Sequence, residues 1–485
     1  METETLNQWD QEVVEALPES PWERERRRVA LAVGLAAGVG LVLAVALFAF
    51  PPVLVAAAAA GLGYLVLVLA SPFAGLLGYL GCEFLRFGET VPALGAIHFQ
   101  RLLAVAVIGA WAIRRAVRRD EPLVSDRQHG SMLALLGVAL LSAFNPFWPG
   151  RSLQFSLDFA KMGLIYLALV NLGNDRRRMR QLVWTLALLA GWIAADGILR
   201  YSSGTQVEMS GETVRAGASS LFLRNSNDLA LALVWAIPLL VYLLHTEAAG
   251  GRLLALALLG GCGWSLVCTG SRAGFLGLLA VMIGIWASSR HKLLSLLVVI
   301  AVLSVGWGMA PQTYRERMAS IVTGADPDGS VAGRTGAWRV GIRMLRDRPL
   351  LGAGAGNFMV AYADRYTPPG QRPLYRSAHS LWFQTGGELG GLGILALGWF
   401  LWLLVRGLLR ARRQAATPRE RELASALLLS LLGTAVVGTF ASILWYPYLY
   451  LLAGMGVVVR QLTRPVPAAA PVEPGRAALP TAERA

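Results

Sequence analysis

Long runs of apolar residues dominate the chain, broken at irregular intervals by short polar stretches. Val29 to Phe50, Trp184 to Leu199 and Ala273 to Trp286 are typical. With their flanks they reach the roughly 20 helical residues that a bilayer core requires. The pattern predicts an all-α polytopic membrane protein with spans near 29–50, 53–70, 72–86, 99–113, 132–146, 156–172, 181–199, 227–245, 253–270, 273–289, 293–310, 379–405, 422–440 and 446–461. A narrower reading gives about 12 helices rather than 14, because 72–86 is short and carries Glu83 and the pair after 422 is weak. No small-residue cleavage site ends the first run, so it is expected to be a permanent helix behind a polar segment, 1–28. The Pro- and Ala-rich tail, 462–485, is expected to be disordered.

Charge then orients the helices. Arginine clusters at Arg24 to Arg28, Arg114 to Arg119, Arg176 to Arg180, Arg290 with Lys292, and Arg406 to Arg413 should be cytoplasmic. The fourteen spans alternate so that every cluster, the N-terminal segment and the tail fall inside. Two large segments are left outside, one near 201–228 and one at 311–378, and the second is long enough for a small subdomain. Within it Arg334 to Arg348 reads as an amphipathic helix, with Trp338, Ile342 and Leu345 on one side and Arg339, Arg343 and Arg346 on the other. Pro349 should end that helix, and Leu350 to Phe358 turn back with flexible glycines.

Composition agrees: 55% of residues are hydrophobic and 15% charged, far from a soluble globular balance. A net charge of +14 could suggest nucleic acid, but the basic residues bunch at helix ends, where they encode topology, and no nucleic-acid partner is expected. Cys82, Cys262 and Cys268 lie in or beside apolar segments and read as small buried residues.

Topology also sorts the candidate chemistry. His129, His245 and His291 fall inside, while His98 and His379 face outward. His379, where the large loop meets a helix, could take a proton from a hydroxyl; equally it could cap that helix. Arg272, in a tight turn between two apolar spans, is costly unless something anionic meets it. Arg215 and Arg224 flank the other outer loop, and a planar guanidinium suits phosphate oxygens; snorkelling or an ion pair with Glu208, Glu212 or Asp228 is the alternative. Asp158 and Lys161 should neutralise each other, and Asp196 could face an aqueous cavity. Glu388, about 13 Å below His379 along the helix, reads as packing against another helix. No DxD pair, P-loop or dinucleotide turn is present, so neither a metal nor a cofactor is expected.

These elements in their order resemble the O-antigen ligase and O-antigen polymerase superfamily of bacterial envelope glycosyltransferases. Arg224-Asn225-Ser226-Asn227-Asp228-Leu229-Ala230 looks like the family's asparagine-rich helix start, and Thr269-Gly270-Ser271-Arg272-Ala273-Gly274 like its Ser-Arg turn. Gly333 to Trp338, Arg348 to Phe358, and His379 followed by Glu388-Leu389-Gly390 resemble its large-loop signature. The similarity covers about residues 200 to 400.

The resemblance implies a GT-C-like fold in a bacterial inner membrane with the site facing the periplasm. It also implies metal-independent, inverting transfer of a glycan from an undecaprenyl diphosphate carrier to an acceptor such as lipid A core. His379 would be the catalytic base, Arg272 with Arg215 or Arg224 would bind the diphosphate, and Arg334 and Arg376 would add loop contacts. A repeat-unit polymerase for O-antigen or exopolysaccharide, protein O-glycosylation, and a lipid-linked oligosaccharide transporter are the alternatives. A transporter would be expected to show paired halves, and no internal repeat is visible.

Overall fold

The computed structural model describes residues 52–85, 99–117, 123–144, 147–205, 208–210, 213–217, 223, 225–324, 329–367, 370 and 372–464. The chain divides into two compact units, Met1–Leu67 and Val68–Ala485. Of the first, only part of helix α1 (Pro52–Ala70) is described. The second unit runs α2 (Pro72–Leu85), α3 (Phe99–Val117), α4 (Arg127–Leu141), α5 (Pro149–Leu172), α6 (Arg176–Ser203), a ribbon of β1 (Glu208–Ser210) and β2 (Thr213–Arg215), α7 (Ser226–Thr246), α8 (Ala249–Cys268), α9 (Arg272–Ser288) and α10 (Lys292–Met309). The large loop follows as α11 (Gln312–Thr323), α12 (Ser330–Asp347) and the single turn α13 (Phe358–Ala361), and the chain closes with α14 (Leu381–Gln414), α15 (Pro418–Gly438) and α16 (Pro447–Leu462).

Every apolar stretch expected from residue 53 onwards is thus helical, while 29–50, the N-terminal segment and the tail lie outside the described residues. Seven described helices, α5, α6, α7, α8, α10, α14 and α15, are long and apolar enough to cross a membrane; α2, α9 and the second half of α1 are shorter apolar helices. The expected 12 to 14 crossings therefore still rest on the topology argument. The all-helical expectation needs one small addition, the antiparallel ribbon in which Glu208 opposes Arg215 and Ser210 opposes Thr213.

Lipid is as apolar as leucine, so helices here are held by close packing and interhelical hydrogen bonds rather than by escape from water. The centre is α7, buried from Leu229 to Leu240 and packed on α8 and α15. Ser430 on α15 donates to the Trp235 carbonyl at 2.8 Å. Gln128 on α4 donates to the Phe400 carbonyl on α14 at 3.1 Å. By contrast α10 has no buried residue and turns its leucines and valines outward. The expected Asp158–Lys161 pair is not what forms: Arg101 on α3 reaches Asp158 at 3.7 Å, because α3 lies beside α5. Asp196 is bonded by Arg200 one turn along α6 at 2.9 Å.

The large loop departs from the sequence reading in two ways. Its helix α12 buries Ala337, Val340, Gly341 and Met344, while Ile342 is 46% exposed. The inward face is the one whose small residues let α14 approach, rotated from the stripe of large ones. The glycine segment after Pro349 is also not flexible: residues 352–358 are buried. It pairs with a break in α14 at Gly390 (φ 65°, ψ −160°), a conformation open essentially to glycine alone. Gly391 N–H donates to the Pro349 carbonyl at 2.7 Å, and Ala353 and Gly354 N–H donate to the Gly387 and Glu388 carbonyls at 2.8 and 2.9 Å. Backbone freed from a helix among apolar spans must find partners in protein, and the loop supplies them.

Candidate functional site

Four consecutive residues organise the site, the turn Thr269 to Arg272 between α8 and α9. Gly270 takes φ 57°, and Ser271 caps α9 by accepting the Gly274 N–H at 3.1 Å. The Ser271 hydroxyl donates to Asn227 Oδ1 at 2.7 Å, tying the turn to the start of α7. The end of the β-ribbon is docked there too, since Ala216 N–H donates to the Cys268 carbonyl at 3.0 Å.

Three guanidinium groups converge on this turn. Arg215, at the end of β2, donates to the Thr269 carbonyl at 3.1 Å and to Asn227 Oδ1 at 3.4 Å. Arg317, on α11, donates to the Gly270 carbonyl at 3.0 Å. Arg272 opens α9 and donates to Ser320 Oγ at 2.9 Å and to Ser330 Oγ. All three are buried, with 5%, 8% and 8% of their surface exposed. Three guanidinium groups so placed give this rim of α8 and α9 concentrated positive charge.

The first turn of α12 carries the connection to His379. Ser330 receives Arg272, and three residues on, which on a helix is the same face, Gly333 lies beneath the Arg376 guanidinium: a Cβ there would be 2.8 Å from Nη1. A segment without regular secondary structure, 372–378, carries Arg376 and leads to His379, whose Nε2 meets Ser377 Oγ at 3.1 Å. His379 has φ 46°, the only positive φ at a non-glycine residue among those described, and α14 starts two residues later behind Ser380. It does not cap that helix, because Ser380 occupies the cap. Nearby, Trp338 stacks on Phe383 with centroids 5.1 Å apart, and the Arg334 guanidinium lies 5.9 Å from the Phe440 ring centroid.

Of the residues singled out from sequence, Arg215 and Arg272 share one turn, while Arg376 and His379 follow along the strap beside it. Arg334 sits on the same helix turn as Gly333 but faces Phe440. Arg224 and His98 lie outside the described residues. Glu388 packs differently from expectation. Its carboxylate accepts Gly356 N–H at 3.0 Å, Phe358 N–H at 3.4 Å and the Trp445 indole N–H at 2.7 Å, so it holds the glycine segment rather than a second helix alone. Asp228 accepts the Tyr446 hydroxyl at 3.2 Å.

Arg317 was missed, and so were Ser320 and Ser330. A signal existed for the arginine: Tyr314, Met318 and Ile321 form an apolar face packed near Val267 and Phe275, and Arg317 falls on that face at helical spacing. Burial pushes the Tyr314 hydroxyl up to about 12, which marks how firmly this face is covered. Among the described residues no group of three His, Cys, Asp or Glu is arranged to hold a metal.

No curated protein matches the chain. Residues 253–398, which carry Arg272, Arg317, His379 and the glycine segment, match the family model described as O-antigen ligase, the superfamily that the order of motifs resembles.

Proposed function

We propose that the protein is a glycosyltransferase of the O-antigen ligase type, moving a glycan from an undecaprenyl diphosphate carrier to an acceptor hydroxyl, such as one on lipid A core, at the outer face of the bacterial inner membrane. The observation that carries this reading is the convergence of Arg215, Arg272 and Arg317 on one turn, joined through α12 to the strap bearing His379. The acceptor hydroxyl gives its proton to the His379 imidazole as its oxygen bonds the donor sugar's anomeric carbon. The bond from that carbon to the phosphate oxygen breaks with inversion, and undecaprenyl diphosphate leaves with the electron pair. Three guanidinia suit the charge that grows on the departing diphosphate, and a charge-stabilising donor is worth most where water is excluded. No metal is needed in this scheme.

The test is the surface glycan of a strain lacking the protein. Uncapped core with polymer accumulated on the carrier is the expected outcome. Single unpolymerised repeats would establish a polymerase, and donor trapped on the cytoplasmic side would establish a transporter.

A further inference from the structure

At the end of α14 remote from His379, three elements enclose a cavity of about 520 Å³. The start of α4, the end of α14 and the end of α16 contribute Arg127, Arg406, Arg410, Arg460 and Arg464 to its lining, with Asp126 as the sole carboxylate among the lining residues. Asp126 is already engaged: it caps α4 by accepting Gln128 N–H at 2.8 Å, and Arg460 donates to both its oxygens at 3.1 and 2.7 Å. The Arg460 guanidinium lies against Gly407, where a Cβ would collide with it. Arg406 stands 5.0 Å from the Trp402 ring centroid, and Arg410 follows one turn later on the same face.

Basic residues at cytoplasmic helix ends are expected from topology alone, and such residues need only face water. Here they line a single cavity, and a second of about 400 Å³ shares Trp402, Arg406 and Arg410 with it and is lined further by Val405, Leu409 and Arg413. Trp402, Val405 and Leu409 are 52%, 39% and 38% exposed. Positive charge at one end and an open apolar flank at the other match a phosphodiester headgroup with its acyl chains, whereas a soluble phosphate would have no use for the flank. We infer that this cavity is a binding site for an anionic membrane phospholipid, its phosphate held by Arg406 and Arg410 and its chains laid along Trp402, Val405 and Leu409. Basic pockets between helices on this side of a membrane are suited to such headgroups.

The test uses the full-length protein in detergent, titrated with phosphatidylglycerol, phosphatidylcholine or sn-glycerol 3-phosphate and read by native mass spectrometry and thermal shift. Phosphatidylglycerol is expected to bind and raise the melting temperature; the zwitterionic lipid and the soluble headgroup are not. Exchanging Arg406→Gln with Arg410→Gln should weaken phosphatidylglycerol by about thirtyfold, while the exposed pair Arg177→Gln with Arg290→Gln, which removes the same charge elsewhere, should change it by less than about threefold. Equal weakening in both pairs would reduce the site to general surface attraction and overturn the proposal. Glycerol phosphate binding as tightly as the lipid would overturn it as well. Should the Arg406 and Arg410 variant fail to fold, the wild-type comparison decides alone: equal thermal shifts with the two lipids overturn the proposal.

Discussion

His379 keeps a left-handed backbone that costs an L residue about 1 to 2 kcal/mol, and such strain persists only where the surroundings impose it. Ser377 on one side and the start of α14 on the other do so. His379→Ala is expected to lower the initial transfer rate on a carrier-linked donor by about 10² to 10⁴, the worth of a positioned base, with protein matched by blot; a rate above about a tenth of wild type would exclude that role. Arg272→Lys retains charge but loses the planar fork that reaches Ser320 and Ser330, so it should lose much of the about 10² to 10³ expected for alanine. Arg317→Ala should fall in the same range, whereas a residue that only shapes the rim would cost a few-fold. Arg272 and His379 were legible because each stands at a junction between an apolar run and a loop. Arg317 was not, since an arginine inside an amphipathic helix looks solvated until its face is known to be covered.

A second residue pair sets a pH response away from the site. Glu247, between α7 and α8, accepts Arg180 Nε at 2.6 Å and the Trp184 indole at 3.2 Å. The Arg180 bond holds its carboxyl below the usual glutamate range despite partial desolvation. A carboxyl with a depressed folded value stabilises the fold above its unfolded value, near 4.3, and that contribution is lost as pH falls through the folded value. Wild-type melting temperature should therefore drop between about pH 5 and pH 3 more steeply than that of Glu247→Gln; parallel curves would show the pair to be inert. The half-exposed guanidinium limits the effect to about 1 kcal/mol or less.

At the scale of elements, the decisive feature is the break in α14. Gly390→Ala would place a Cβ against the Leu350 backbone and demand a φ and ψ that only glycine tolerates, so a loss of about 2 to 4 kcal/mol is expected. A thermal melt of the variant in detergent measures it, and a shift of under about 2 °C would mean that α14 can run straight. Apolar runs made the helices readable, and the structure adds their caps: Thr417 and Glu420 form a capping box at α15, and Asp175 and Asn225 cap α6 and α7. The pairing of 349–354 with 387–392 left no such trace, because it is made by backbone groups of segments far apart in sequence. Glycines that read as flexible are there because the two backbones touch. The face of α12 was misjudged for a related reason, since hydropathy weighs Trp338 and Ile342 while close approach selects Ala337 and Gly341.

For the whole molecule, the arginine clusters predict sidedness. Reporter tags at Gln206 and Asp326, both outside the described residues, should register the outer compartment, and tags at Arg177 and Arg412 the cytoplasm. A cytoplasmic signal from Asp326 would detach the proposed site from the outer face. Transfer should also survive EDTA, since the arginines supply the charge that a divalent ion would otherwise bring; activity lost to EDTA and restored by magnesium would require acidic ligands outside the described residues. The helical architecture was visible from sequence because apolar runs are local signals. The arrangement around the turn Thr269 to Arg272 was not, because it depends on which loop element lands on which turn.

The broken helix also has a bearing on biogenesis. At the break the Gly391 and Leu392 N–H groups and the Gly387 and Glu388 carbonyls find partners in 349–354, a stretch that leaves the ribosome earlier. Chains emerge N-terminus first, so the receiving surface has already been synthesised when α14 follows. A truncated product ending before α14 would leave the glycine segment without its mate, and a product lacking the large loop would leave open backbone inside the bilayer. Either fragment would expose unsatisfied amides, the kind of lesion that quality-control proteases can recognise, so the large loop and α14 are expected to mature together.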